Sequence, residues 1–217
     1  MSFFEVKNLS FAYYHKKTLF QNFNFEAEKG EIVAISGDSG SGKTTLLKIF
    51  CNVIPLLIKG DFSGKIFINE NDISLYSLPQ MSPLVSLLMQ EPENQLLFPN
   101  VESELAFGPE NLCITPQEIR KRIEDTLQLL DITHLRYLDT ATLSFVQKKL
   151  VALASIITLS PDIFLLDEPS AGLSADYIKI VKNAITQLSN AGKLIFIADH
   201  SDEIFQIADR KIELKNV

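Results

Sequence analysis

The 217-residue sequence has no tryptophan and only two cysteines, Cys51 and Cys113. Two thiols make no disulfide framework, they form no metal-spaced pair, and they read as two buried thiols of a reducing compartment. Basic residues are also scarce, with 20 Lys plus Arg against 27 Asp plus Glu and a formal charge of -7. Binding along a phosphate backbone needs clustered cations, so this balance argues against nucleic acid as a partner. Long apolar runs are absent too. The longest, Leu150 to Leu159, is broken by Ser155 and Thr158 and is too short to span a bilayer, so work at a membrane would need another subunit. The opening Met1-Ser2-Phe3-Phe4-Glu5 lacks a basic region followed by an apolar stretch and reads as having no secretory signal. No internal repeat or low-complexity tract occurs. What remains is ordinary: 46% hydrophobic and 22% charged residues fit a globular domain rather than a disordered chain. A chain of this length buries about 70% of its extended surface, enough for a core without staples. A phosphate ligand on so acidic a protein would have to be held by a local device.

The pattern along the chain predicts an α/β fold. Phe3 to Val6 and Leu9 to Tyr14 read as strands with a polar break at Lys7-Asn8, and Phe20, Phe23 and Phe25 continue to a turn at Lys29-Gly30. Glu31 to Ser36 reads as a short strand buried on both faces. A glycine-rich segment follows, then a helix from Lys43 to Val53 that stops before Pro55, and a strand from Lys65 to Asn69. Pro79 to Pro116 is rich in proline and loop residues. Pro116 to Leu130 reads as a helix, with Ile119, Ile123, Leu127 and Leu130 at three- or four-residue spacing and Thr115 as its N-cap. Ser144 to Leu159 is a second helix; Asp162 to Leu166 a buried strand; Asp176 to Ser189 a helix; Lys193 to Ala198 another buried strand; and Lys211 to Leu214 a last strand-like segment. Strands alternating with helices imply a mainly parallel sheet. The expected organisation is one nucleotide-binding core, residues 1–90 and 161–217, carrying a helical insertion at about 91–160.

Three segments carry chemistry. Gly37-Asp38-Ser39-Gly40-Ser41-Gly42-Lys43-Thr44 matches the phosphate-binding pattern G-x-x-x-x-G-K-[ST] at every fixed position, between a buried strand and a helix, with Thr45 following. Glycines let the backbone curl so that several N–H groups face one anion, and the helix aims its positive end the same way. Lys43 adds a point charge for the β- and γ-phosphates and Thr44 a hydroxyl for Mg2+. Secondly, Ile163 to Leu166 run into Asp167-Glu168, which places two carboxylates at the C-terminal edge of a parallel sheet. Asp167 suits a Mg2+ held through water, and Glu168 suits a general base for an attacking water. Thirdly, the strand Lys193 to Ala198 ends at Asp199-His200-Ser201, where His200 could hydrogen-bond a γ-phosphate and sense its loss.

In this order, these residues resemble the ATP-binding cassette (ABC) ATPases over nearly the whole chain. The resemblance implies a P-loop ATPase core with a mainly parallel sheet, an N-terminal antiparallel β part and an inserted helical subdomain. Met89-Gln90-Glu91-Pro92 is similar to the family's Q-loop, so Gln90 would reach Mg2+ and the attacking water, and His200 is similar to its switch histidine. Tyr13 falls where the family stacks an aromatic ring on adenine, with Tyr14 as the neighbour that could substitute. Gln90 to Phe98 and Val101 to Leu112 resemble more narrowly the energy-coupling factor (ECF) importers and their cobalt-type relatives. That implies an ATP- and Mg2+-dependent motor at the cytoplasmic face of the membrane. Its implied partners are a second ATPase, a transmembrane scaffold and a membrane subunit that binds a vitamin or metal ion.

Two departures stand out. The family's Leu-Ser-Gly-Gly-Gln signature is here Leu143-Ser144-Phe145-Val146-Gln147, keeping Ser144 and Gln147 but neither glycine. Ser170 to Ser174 resembles the D-loop with Ser174 where aspartate is usual. Both defects lie on parts that the resemblance assigns to a partner's nucleotide, which favours a heterodimer with one competent site over a homodimer with two weakened ones. Two functions therefore stay open, an ATP-hydrolysing motor and a weakly hydrolytic ATP-dependent clamp. A P-loop kinase or GTPase gives no reason for Gln90, the Leu143 to Gln147 element and His200 in that order.

Overall fold

The computed structural model describes residues 2–214; Met1 and residues 215–217 of the expected core lie outside them. Along the chain run β1 (Phe4–Ala12), β2 (Thr18–Ala27), β3 (Ile32–Ser36), α1 (Lys43–Phe50), α2 (Val53–Leu56), β4 (Asp61–Ile68), β5 (Asn71–Asp72), α3 (Leu78–Met81) and β6 (Val85–Leu88). Then come α4 (Val101–Asn111), α5 (Pro116–Leu129), α6 (Phe145–Leu159), β7 (Ile163–Asp167), α7 (Ala175–Asn190), β8 (Leu194–Ala198), α8 (Asp202–Phe205) and β9 (Arg210–Glu213). They form a four-stranded sheet in the order β2-β1-β4-β5 and a five-stranded sheet in the order β6-β7-β8-β3-β9. Every pairing in the first is antiparallel and every pairing in the second is parallel. The C-terminal ends of β3, β6, β7 and β8 therefore share one edge, which is where ligands of open α/β sheets bind.

Strands β3, β7 and β8 are buried at every position, which their unbroken apolar runs require. One face of the parallel sheet packs on α1 and the antiparallel sheet. There Phe4, Phe50 and Phe196 meet at ring-centroid distances of 4.9 to 5.1 Å. The other face packs on the helical layer, with Phe164 and Ile195 of the sheet in the same core as Leu105, Ile123, Leu127 and Leu150. All of α4, α5 and α6 fall between β6 and β7, two neighbouring strands.

Four expectations differ from this structure. Lys7-Asn8 does not end a strand: β1 runs through it with a shift of register, Asn8 taking the left-handed φ of 51°. Helix α1 stops at Phe50 rather than Val53, because Asn52 turns left-handed and its amide donates to the carbonyls of Ile73 and Tyr76. The stretch from Pro79 to Pro116 is not simply loop. It holds β6, an edge strand of the parallel sheet, and α4, whose N-cap Asn100 accepts from the Ser103 amide. Finally, Cys51 is buried but Cys113, on a left-handed residue after α4, is exposed. Burial pushes the Cys51 thiol up to about 11. Since the thiolate is the reactive form, a thiol reagent at about pH 8 should label Cys113 in the native protein and Cys51 only after denaturation. Intact-mass counting of adducts checks this, and fast double labelling of native protein contradicts it.

Between β6 and α4 the chain is pinned by the buried carboxylate of Glu104, whose Oε2 accepts from the amides of Leu97 and Phe98, both at 2.8 Å. Hydrogen bonds to a charged acceptor contribute about 1.5–3 kcal/mol, so Glu104→Gln should lower stability by about 1–3 kcal/mol. The midpoint of denaturant unfolding reads the change; an unmoved midpoint would show that the clamp contributes nothing.

Candidate functional site

Strand β3 ends in the glycine-rich loop and the loop ends in α1. Gly42 is the N-cap of α1 with φ of 98°, and a Cβ there would come within 2.9 Å of the Phe20 ring, so both conformation and space require glycine. No side chain caps α1 and its first turn holds no acid, which leaves its leading N–H groups free of side-chain acceptors. The Lys43 ammonium folds back over the loop and donates to the carbonyls of Gly37 at 2.8 Å and Asp38 at 3.2 Å. The buried Ser41 hydroxyl has no hydrogen-bond partner among the described residues. An uncapped helix start beside a restrained ammonium is a fitting cradle for an anion.

The cradle opens into a cavity of about 410 Å3, within the range usual for small-ligand sites. Its floor includes Ser39, Gly40, Gly42, Lys43, Thr44 and Thr45. Tyr13 forms one wall, its ring edge-on to Phe11 and its hydroxyl 3.0 Å from the Thr45 hydroxyl. Tyr14 is exposed and not part of this wall. Lys16 and Leu19, which sequence patterning did not single out, complete that side.

Gln90, Glu168 and His200 form the opposite wall. Glu168 Oε2 accepts from Gln90 Nε2 at 2.9 Å, and Glu168 Oε1 stands 3.9 Å from His200 Nε2. The carboxylate is thus held by a residue after β6 and faces one after β8. Asp167 lies beneath, buried at the end of β7. Burial raises its pKa, the hydrogen bond from Thr44 opposes that, the Glu168 charge adds to the rise, and Lys48 and Lys43 lower it. A buried carboxylate with a threonine hydroxyl beside it is a donor set of the oxygen type that Mg2+ prefers.

Two residues that patterning missed tie this wall together. Buried Asp199 accepts from the amide and hydroxyl of Ser170 through Oδ2, at 3.0 and 2.8 Å, and from the amides of His200 and Ser201 through Oδ1, at 2.6 and 2.9 Å. Lys149 of α6 reaches the loop after β7. The signature pair is placed elsewhere: Ser144 and Gln147 are absent from the cavity wall and form a reciprocal capping box at the start of α6. The Phe145 ring, 43% exposed, lies over Gly172, where a Cβ would meet it at 2.8 Å.

A buried strand, a glycine loop and an uncapped helix beside a second strand that ends in two acids define the P-loop ATPase fold. The profile of the ABC transporter family matches residues 20–171, most of the chain. The chain belongs to that family, as an ATP-binding domain. It is 36% identical to the energy-coupling factor transporter ATP-binding protein EcfA of Methanosarcina acetivorans, over 95% of this chain and 74% of that one. It is 34% identical to a putative ABC transporter ATP-binding protein of Treponema denticola over 97% of this chain, which spans only 44% of that relative's length. Among solved structures it resembles cbiO1 of Clostridium perfringens, part of the cbiONQ ABC transporter complex, at a TM-score of 0.85 and 29% identity, covering 99% of this chain and 85% of that one.

Proposed function

We propose that this chain hydrolyses ATP as the motor subunit of an ECF-type membrane importer of a vitamin or metal ion. The observation that carries the reading is the Glu168 carboxylate, fixed by Gln90 on the wall that faces the P-loop cradle. In this reading Gly37, Asp38, Ser39, Gly40, Ser41, Gly42, Lys43, Thr44 and Thr45 bind the phosphates, and Tyr13 stacks on the base. Thr44, Asp167 and Gln90 would hold Mg2+, which supplies positive charge against the phosphate oxygens. Glu168 takes the proton of the attacking water, and His200 donates to the γ-phosphate. Identity to EcfA and likeness to cbiO1 support transport over other uses of the fold. No helix among the described residues is long and apolar enough to cross a membrane, which fits a motor seated on membrane subunits at the cytoplasmic face.

The second ATPase of the pair is a different chain with an intact signature, and Ser144 and Gln147 face that partner's nucleotide. A clamp that binds ATP but turns over little is the competing reading; it rests on Phe145 and Val146, the two side chains in place of glycine. Equilibrium ATP–Mg2+ binding and steady-state phosphate release, on the chain alone and in the assembled complex, separate the two. Binding with turnover on assembly supports the motor, binding without turnover the clamp, and no binding ends both.

A further inference from the structure

We infer that Lys149 is a positioning residue that fixes the backbone of Glu168 and thereby aims its carboxylate, an assignment that rests on the general-base role proposed above. Glu168 holds a left-handed conformation with φ of 49°, and Pro169 follows it. That region is unfavourable for a side chain with a Cβ, and a following proline narrows the choices further. Such a conformation persists only where its surroundings over-determine it. Two contacts do so here. The Glu168 amide donates to the Ala198 carbonyl at 2.7 Å, and the Lys149 ammonium donates to the Glu168 carbonyl at 2.6 Å and the Ala171 carbonyl at 3.0 Å. Both backbone polar groups of the residue are pinned, and the direction of its side chain follows.

Lys149 is 2% exposed, too deep to be a solvating lysine. Burial pulls its pKa below the ordinary lysine value, the charges of Asp199, Glu168, Glu91 and Asp167 oppose that, and the Phe145 ring centroid lies 5.6 Å from Nζ. The second turn of α6 is thereby fastened to the loop that carries Glu168, so the aim of the carboxylate is set from the helical layer as well as from the sheet.

The test uses the assembled ATPase. Losing charge-assisted hydrogen bonds of this kind corresponds to about 10- to 100-fold, so Lys149→Met should lower kcat by that factor and leave KM for ATP within about threefold. Lys149→Arg, which keeps charge and donors, should recover most of the rate. In a Glu168→Gln background, Lys149→Met should add less than about twofold in single-turnover assays, since residues that act as one unit are non-additive. A merely structural lysine would give the same loss in both backgrounds. If Lys149→Met does not fold, Lys149→Gln takes its place with the same expectations. An unchanged kcat, or an undiminished loss in the Glu168→Gln background, overturns the inference. Full activity of Glu168→Gln itself would instead overturn the reading beneath it.

Discussion

Glu168→Gln should cut the ATP turnover of the assembled pair by about 10^2- to 10^4-fold, the usual cost of losing a general base. The substitution is nearly isosteric, and the amide can still accept from Gln90, whose Nε2 lies 2.9 Å from the present carboxylate. The left-handed backbone is also untouched, because its two pins are the Ala198 carbonyl and Lys149. ATP affinity should therefore hold while phosphate release falls, and the complex should accumulate in its ATP-bound form. The same measurement tests the proposed asymmetry of the pair. With one competent site built on this P-loop, a single Glu168→Gln substitution silences the assembly. If turnover barely changes, the competent site lies on the other chain.

The second large effect is expected for Lys43→Ala. Its ammonium is held by two loop carbonyls beside the uncapped start of α1, so it is placed in advance for an anion. Charge-assisted hydrogen bonds contribute about 1.5–3 kcal/mol each, which makes the expected loss of ATP–Mg2+ affinity about 10- to 100-fold. Calorimetric titration of the purified chain reads it directly. Undiminished affinity would mean that the cradle is not the phosphate site.

Much of the frame is legible in the sequence because its signals are local. Runs of four or five apolar residues that reach Ser36, Asp167 and Ala198 need no partner to be recognised as buried strands, and the glycine loop lies between one of them and a helix. Strand β6 is the counterexample. Val85 to Leu88 is a four-residue run between Pro83 and Pro92, and it becomes a strand through its register with Ile163 to Leu166, a pairing far away along the chain. In α4, Gly108 and Pro109 hide a helix that Asn100 starts and the core residues Val101 and Leu105 anchor.

The cavity wall divides in the same way. The choice between Tyr13 and Tyr14 follows from strand-like alternation beyond β1, since Tyr13 shares the side of buried Phe11 while Tyr14 turns outward. Lys149 and Asp199 escaped notice because a lysine on a helix and an acid after a strand are usually solvated. The carbonyls of Glu168 and Ala171 that Lys149 meets, and the Ser170 that Asp199 meets, come from another stretch of chain. One trace was available: Lys149 sits directly before Leu150-Val151-Ala152-Leu153, inside the apolar half of α6, where a lysine needs a reason.

Asp199 receives four donors from two segments 29 residues apart, Ser170 on one side and the His200 turn on the other. A carboxylate saturated in this manner behaves as a rivet. The loop after β7, which the proposed pairing would turn toward the second ATPase, and the histidine over the protein's own cavity are bolted to a common point. In the proposed pair, news of the neighbour's arrival would have one joint to cross before it reached the histidine.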